Sequence, residues 1–288
     1  MAARLRTVVL CSAGHIGSAT ILSRLAESDE FEIVGIVKAQ TVPMSRKGLR
    51  KLKRHLKQTG WRFGWLLFWQ QIIQGLAYLI GQWLPGTRHV RPSWKIAEDM
   101  GVPILDCDNV NSPTSCDWLR SLEPDVLVSA YFSQILKPNV IRVPKRGVLN
   151  VHPGWLPAYR GAMAYFWVLH NGEQSGGVTV HWIDEGIDTG PILARRQFRL
   201  TRGMTQQHVM VLTAVIGSRL LVRVVRKLIR EETLKPLSQE ALKDAAYFPM
   251  PQSEDFDAYI AKRRFFRVRD VVGYLTKVGR QRRSLSPI

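Results

Sequence analysis

Asn150 and His152 stand two residues apart in the apolar string VLNVH, and Asp188 follows in the string EGIDTGP. On an extended backbone, residues two apart point to the same face, so the amide and the imidazole would share one side of a strand. Asp188 comes just after the apolar run GVTVHWI, whose β-branched content predicts a second strand. An amide donor, an imidazole and a carboxylate at strand ends suit acyl transfer. The amide can bind a developing oxyanion, the histidine can move a proton, and the carboxylate can orient the histidine. Each residue also has a plainer use, Asn-x-His as a bonded pair within a strand and Asp before Thr-Gly as a turn residue.

The longer string favours chemistry. It runs Asn150-Val-His152-Pro-Gly-Trp-Leu156-Pro157-Ala-Tyr159-Arg160-Gly161, then Asn171-Gly172-Glu173, Gly177-Val-Thr179-Val-His181, and Ile187-Asp188-Thr-Gly190-Pro191. In these residues the chain resembles the folate-dependent formyltransferases, whose pattern is N-x-H-x-S-L-L-P-x-Y-R-G, then N-G-E/D, G-x-T-x-H and L/I-D-x-G-P. That family includes methionyl-tRNA, glycinamide ribonucleotide and sugar-nucleotide N-formyltransferases. The resemblance implies 10-formyltetrahydrofolate as formyl donor and no metal. It implies catalytic roles for Asn150, His152 and Asp188, and a pteridine site formed by Phe132, Gln134, Ile135, Leu136, Glu185, Gly186 and Ile187. Ser12, Gly14, Tyr159, Arg160 and Gly161 would face the acceptor. Gly154-Trp155 stands where the family usually has Ser-Leu, so any contact made by that serine is missing.

Several elements must position these residues. The run RTVVLCSA, the turn Gly14-His-Ile-Gly17, a helical pattern through Leu25 and the run FEIVGIV open a doubly wound α/β sheet. The Gly14-x-x-Gly17 turn is only a fragment of the dinucleotide fingerprint, and Lys38 stands where an acid would close the second strand. A close-packing turn is expected there, with phosphate binding by its backbone amides as the alternative and not a nicotinamide site. The sheet resumes at Val102–Leu105, a helix is expected around Cys116 to Leu122, and Asp125–Ala130 reads as a central strand. The YFSQIL loop opens at its carboxyl end, where open α/β sheets bind ligands. Tyr165, Phe166 and Trp167 fall on a helix expected in the core, and His170 and His181 are expected to be structural.

Two stretches depart from the family pattern. From Ser45 to Pro85 a basic run (Arg46, Lys47, Arg50, Lys51, Lys53, Arg54, Lys57 and Arg62) leads into the uncharged Phe63–Leu84. Gln71, Gln74, Tyr78 and Gln82 recur at helical spacing against Leu66, Trp69, Ile73, Leu76, Ile80 and Trp83. The polar stripe, the tryptophans and the basic flank suit a helix lying in a membrane interface better than one crossing it. Packing on the protein or in a dimer remains the alternative. After Thr205 an apolar helix bearing Arg219, Arg223, Arg226 and Arg230 closes the unit, and the tail from Lys262 is basic.

The expected architecture is therefore an α/β, mostly parallel Rossmann-like sheet of the formyltransferase type, with a hydrophobic helical insert and a short basic C-terminal extension. Residues 1–204 would be the catalytic domain, with the insert at 45–85, and 205–288 the closing helix and extension. The net charge of +18 favours a polyanionic acceptor or an anionic membrane reached through 46–84. Cys11, Cys107 and Cys116 lack metal-ligand spacing, and buried thiols are expected. Gly14 and Gly17 interrupt the N-terminal apolar run, so a cytoplasmic site, peripheral on the inner membrane face, is expected. The expected activity is formyl transfer from 10-formyltetrahydrofolate to a primary amine on a small acceptor, an amino sugar carried by a nucleotide or a lipid. Too little chain remains for the tRNA-gripping barrel of the methionyl-tRNA enzymes. Transfer to methionyl-tRNA, hydrolysis of the folate, a non-catalytic binding protein and a homodimer stay open as alternatives.

Overall fold

In β1 (Leu5–Ser12) successive side chains enter different cores: Val9 and Cys11 join one, Val8 and Leu10 the other. That alternation is what a strand buried on both faces requires. The computed structural model describes residues 4–39, 91–267 and 270, together with positions 60, 61, 64, 65, 68, 69, 72, 75, 76, 78 and 79. Its main sheet has seven strands: β1, β2 (Phe31–Ala39), β3 (Ile104–Cys107), β4 (Val126–Ala130), β5 (Gly147–His152), β7 (Ser175–Trp182) and β8 (Ile192–Arg199). The order across the sheet is β3-β2-β1-β4-β5-β7-β8. The first five strands are parallel, and β7 and β8 close the edge antiparallel.

Helices cover both faces, as a doubly wound sheet demands. On one side α1 (Ile16–Ala26), α2 (Ser93–Met100) and α6 (Gln206–Ile229) bury Leu22, Ile96 and Leu221 against Val9, Val128 and Val151. On the other side α3 (Pro113–Ser121) and α4 (Pro138–Ile141) bury Leu119 and Val140 against Leu10 and Leu127. A third cluster joins α5 (Ala164–His170) to α7 (Ser253–Lys262), where the Phe166 ring lies 5.1 Å from Phe256 and 4.9 Å from Tyr259. A two-stranded ladder of β6 (Arg160–Gly161) and β9 (Tyr247–Phe248) lies beside it.

The 24-residue α6 is apolar and long enough to cross a bilayer, but it packs on the sheet. At Gly217 a Cβ would meet Val178 at 3.0 Å, so glycine lets the helix approach β5 and β7 closely. The α6 helix contributes Ala214, Leu220 and Val225 to the main core.

The strand expected at 102–105 lies at Ile104–Cys107, and the helix expected around 116–122 starts earlier, at Pro113, with the Ser112 side chain as its cap. A capping box of Gln252 and Asp255 starts α7. In the insert, the expected face residues Leu66, Ile73, Ile80 and Trp83 lie outside the described residues, as do all eight residues of the basic run and residues 271–288.

Candidate active site

On β5, Leu149 and Val151 enter the core beneath α6. Asn150 and His152 therefore face the opposite side. The antiparallel register sets Asn150 opposite His181 and His152 opposite Thr179, so β7 adds its own polar side chains to that face. The buried Thr179 hydroxyl donates to the Gly154 carbonyl at 2.8 Å and accepts the Leu156 N–H at 3.2 Å. It thereby fastens the loop after His152 across the site. Asp188 arrives on the loop between β7 and β8 in a left-handed conformation, φ 54°. Gln239 ties that loop down. Its Nε2 donates to the carbonyls of Asp188 at 2.9 Å and Gly190 at 2.7 Å, and its Oε1 accepts from Arg160.

The Asp188 carboxylate is where these groups converge. Oδ2 accepts the Gly161 N–H at 2.9 Å and lies 3.4 Å from His152 Nδ1. Oδ1 accepts from Asn150 Nδ2 at 3.3 Å and lies 3.6 Å from His181 Nε2. His152 Nε2 is 2.6 Å from the Tyr159 carbonyl, which can only accept, so that nitrogen carries a proton. His181 Nδ1 likewise donates to the Trp182 carbonyl at 2.7 Å, leaving Nε2 to accept from Asn150 Nδ2 at 3.1 Å. Both amide hydrogens of Asn150 are thus engaged in the resting site. Burial pushes the Asp188 carboxyl up, but His152, His181 and the Gly161 N–H outweigh it and hold the group well below the usual carboxylate range. Burial pulls His152 below the ordinary histidine value, against the opposing pull of Asp188. At neutral pH the pair is a carboxylate beside a neutral imidazole, because burial disfavours a second proton on His152 and the Gly161 and Asn150 donors hold the Asp188 charge. The Nδ1 lone pair of His152 then faces the carboxylate, so a proton arriving there would be stabilised at once. Such a site can accept a proton and redirect hydrogen-bond donors onto a developing negative charge.

Residues 101–225 match the family model described as formyl transferase. The chain is 36% identical over 171 residues to the methionyl-tRNA formyltransferase of Citrifermentans bemidjiense, a match covering 59% of this chain and 53% of that one. The chain spans about half the length of the methionyl-tRNA formyltransferases it matches. Among solved structures, the fold is similar to an N-formyltransferase from Helicobacter canadensis in complex with folinic acid and dTDP-3-aminofucose, with a TM-score of 0.55 at 16% identity, covering 85% of this chain and 71% of that one. It is also similar to glycinamide ribonucleotide transformylase 1 from Symbiobacterium toebii, with a TM-score of 0.55 at 17% identity, covering 82% and 95%. The architecture is an α/β fold of the formyltransferase type.

Within the matched residues, the others singled out from sequence divide into exposed and internal ones. Ile135 is 68% exposed and Ile187 42%, two apolar side chains on the loops that follow β4 and β7. Glu185 is exposed beside Arg142, and the Gly186 N–H is held by Asp184. Leu136, in contrast, is buried in the core with Val140, and Phe132 packs against that same cluster. Gln134 fastens the β3–α3 loop through Val110 N–H and the Cys107 carbonyl. These three contacts hold the loop in place. The Tyr159 hydroxyl donates to Glu173 at 2.6 Å and its ring stacks on Phe248. Arg160 bonds Gln239, and of Tyr159, Arg160 and Gly161 it is the Gly161 backbone N–H that bonds Asp188.

The first turn of the fold is closed. Ser12 donates to the Tyr131 carbonyl at 2.8 Å, and the positive φ of Gly14, 68°, turns the chain into α1. The Gly17 N–H is capped by His15 Nδ1, and a Cβ at Gly17 would meet the Tyr131 ring at 2.7 Å. This is a close-packing turn. His181, expected to be structural, bonds Asn150 and lies beside Asp188; its string G-x-T-x-H was visible, but its partner was fixed only by the β5–β7 register. Gln239 carried no sequence signal at all. Among the described residues, no histidine, cysteine and carboxylate side chains are grouped as a metal site.

Proposed function

We propose that the protein is an N-formyltransferase that moves a formyl group to a primary amine on a phosphate-bearing small acceptor, an amino sugar carried by a nucleotide or a lipid. The observation carrying this reading is the Asp188 carboxylate, which gathers Asn150, His152, His181 and the Gly161 N–H within a formyl transferase domain. 10-Formyltetrahydrofolate would supply the formyl carbon, and the exposed Ile135 and Ile187 offer apolar surface for its flat ring.

Asn150 and His152 serve as oxyanion donors by exchanging resting partners, His181 for the amide and the Tyr159 carbonyl for the imidazole. Apo sites commonly tighten in this way only when substrate arrives. The proton lost by the attacking amine passes to His152 Nδ1, where Asp188 Oδ2 stabilises it from 3.4 Å, and a proton returns to the folate nitrogen as its bond to the formyl carbon breaks and tetrahydrofolate leaves. His181 acts as a positioning residue that fixes which way the Asn150 amide points. The net charge of +18 suits a phosphate-bearing acceptor.

Methionyl-tRNA is the second reading, favoured by the 36% identity to a methionyl-tRNA formyltransferase. The deciding experiment incubates the protein with labelled 10-formyltetrahydrofolate and, in parallel, amino-sugar nucleotides, methionyl-initiator tRNA or no amine. Label in the amino sugar is expected. Label in tRNA selects the second reading, and formate released equally in every arm overturns transfer in favour of hydrolysis.

A further inference from the structure

In the insert, the described positions from Gly60 to Leu79 are helical, and their large apolar side chains point outward. Trp65 and Leu79 are each 56% exposed, Leu76 54%, and Phe68, Trp69 and Ile72 are exposed with them. At 3.6 residues per turn these six fall on one side of the helix. Trp65, Phe68 and Trp69 touch one another, with Trp65–Phe68 centroids 5.6 Å apart. The core leaves this face uncovered, although most large apolar side chains of the domain are buried. Such a patch on a soluble domain marks an interaction surface.

Charge and residue type decide what covers it. No carboxylate occurs between Glu32 and Glu98, and the basic residues Arg46 to Arg62 immediately precede the aromatic positions in sequence. A second copy of the chain would bring the same charge of +18 against its own kind, whereas an anionic bilayer opposes it. Tryptophan is also the residue that sits at the headgroup level of membranes. Two described positions of the insert lie near the domain. A Cβ at Gly60 would lie 2.6 Å from the Ser253 hydroxyl at the start of α7, and Tyr78 lies within electrostatic reach of Lys95 in α2. A helix crossing a bilayer rises about 1.5 Å per residue and would carry one of these two positions far from the domain. Proximity at both positions suits an insert lying along the surface.

We infer that the aromatic face of the insert docks in the interface of an anionic lipid bilayer, lying parallel to its surface. Ser253 follows β9, which pairs with β6, and the β6 Gly161 N–H bonds Asp188. Docking therefore places the Asp188 site near the lipid surface and, resting on the transfer reading, selects acceptors whose amine sits on a lipid-linked sugar.

The test is co-sedimentation of the full chain with vesicles of phosphatidylcholine alone or with added phosphatidylglycerol. Binding to the anionic vesicles, weakened by salt, is expected. The triple variant Trp65→Ser, Phe68→Ser, Leu76→Ser should bind at least tenfold more weakly, and glutamine at Arg50, Lys51, Lys53 and Arg54 should have a similar effect. Both variants should keep the far-ultraviolet circular dichroism of the parent. Absence of anionic-vesicle binding by the parent, binding unchanged in both variants, or a dimer dissociated by the triple variant without vesicle binding would each overturn the inference. Vesicle binding is read without turnover, so a failed transfer assay leaves this result standing, and the reverse also holds.

Discussion

At Asp188 one carboxylate keeps four neighbours in order, so its charge matters more than its shape. Asp188→Asn keeps the size but exchanges an acceptor for an amide donor that points at Asn150 or at the Gly161 N–H. Losing one correctly aimed oxyanion donor typically costs about 3–4 kcal/mol, or 10²–10³ in rate. Asp188→Asn and Asn150→Ala should each lose about that much in single-turnover formyl transfer, while tetrahydrofolate binding by calorimetry survives. Near-normal transfer by either variant would refute the roles given to both. Gly154 offers a second handle. A Cβ there would lie 2.7 Å from His152 Nε2 and 2.8 Å from the Ala164 methyl, so Gly154→Ala must displace the imidazole or α5. Turnover should fall at least tenfold with a thermal midpoint lowered by a few degrees, and unchanged kinetics would show that the imidazole is not held there. Asn150 and His152 were legible in the sequence because strand geometry alone puts residues two apart on one face. The departure at Gly154 was legible too, but the three-dimensional neighbours gave it meaning: it lets His152 Nε2 reach the Tyr159 carbonyl at 2.6 Å.

The site is held by contacts between elements that are distant in the chain, and these were the part the sequence hid. Periodicity located β1, β2, β4 and β5, since each is a short apolar run ending in a turn. It set no bounds for α7, whose burial comes from Phe256 and Tyr259 packing on Phe166. It missed Gln239 altogether, because a glutamine in an irregular stretch carries no local signal. That side chain is 3% exposed and joins the Asp188 loop to Arg160 of β6. Gln239→Ala strands the carbonyls of Asp188 and Gly190 and the Arg160 guanidinium. Each buried group left without a partner costs about 1–3 kcal/mol. A loss of roughly 2–4 kcal/mol in denaturant unfolding is expected on that basis, with water relieving part of the penalty. Turnover should fall more steeply than stability explains at temperatures where the variant remains folded. A variant that loses stability but keeps full turnover would show that Asp188 is fixed by its own loop.

For the whole molecule, burying two histidines in their neutral form makes the fold sensitive to acid. Burial lowers His15 from 6.5 to about 4, and it lowers His152 as well. Between those values the unfolded chain binds a proton that the folded His15 refuses, so stability must fall as pH falls. The contribution is fully present above 6.5 and is lost progressively as pH drops toward about 4. A tenfold change in proton affinity corresponds to about 1.4 kcal/mol, but part of the His15 surface reaches solvent, so its share is about 1–2 kcal/mol. The ring also accepts the Gly17 N–H at the start of α1 and stacks on Tyr131 at 4.8 Å. Asparagine is a good helix cap that does not titrate in this range, so His15→Asn can keep the cap while removing the proton. Thermal unfolding at a series of pH values between 7 and 4.5 should therefore show a flatter decline in the variant than in the parent. Parallel declines would assign the acid sensitivity to His152, and the Asp188→Asn variant distinguishes that case: without the carboxylate's upward pull, His152 resists protonation further and the decline becomes steeper.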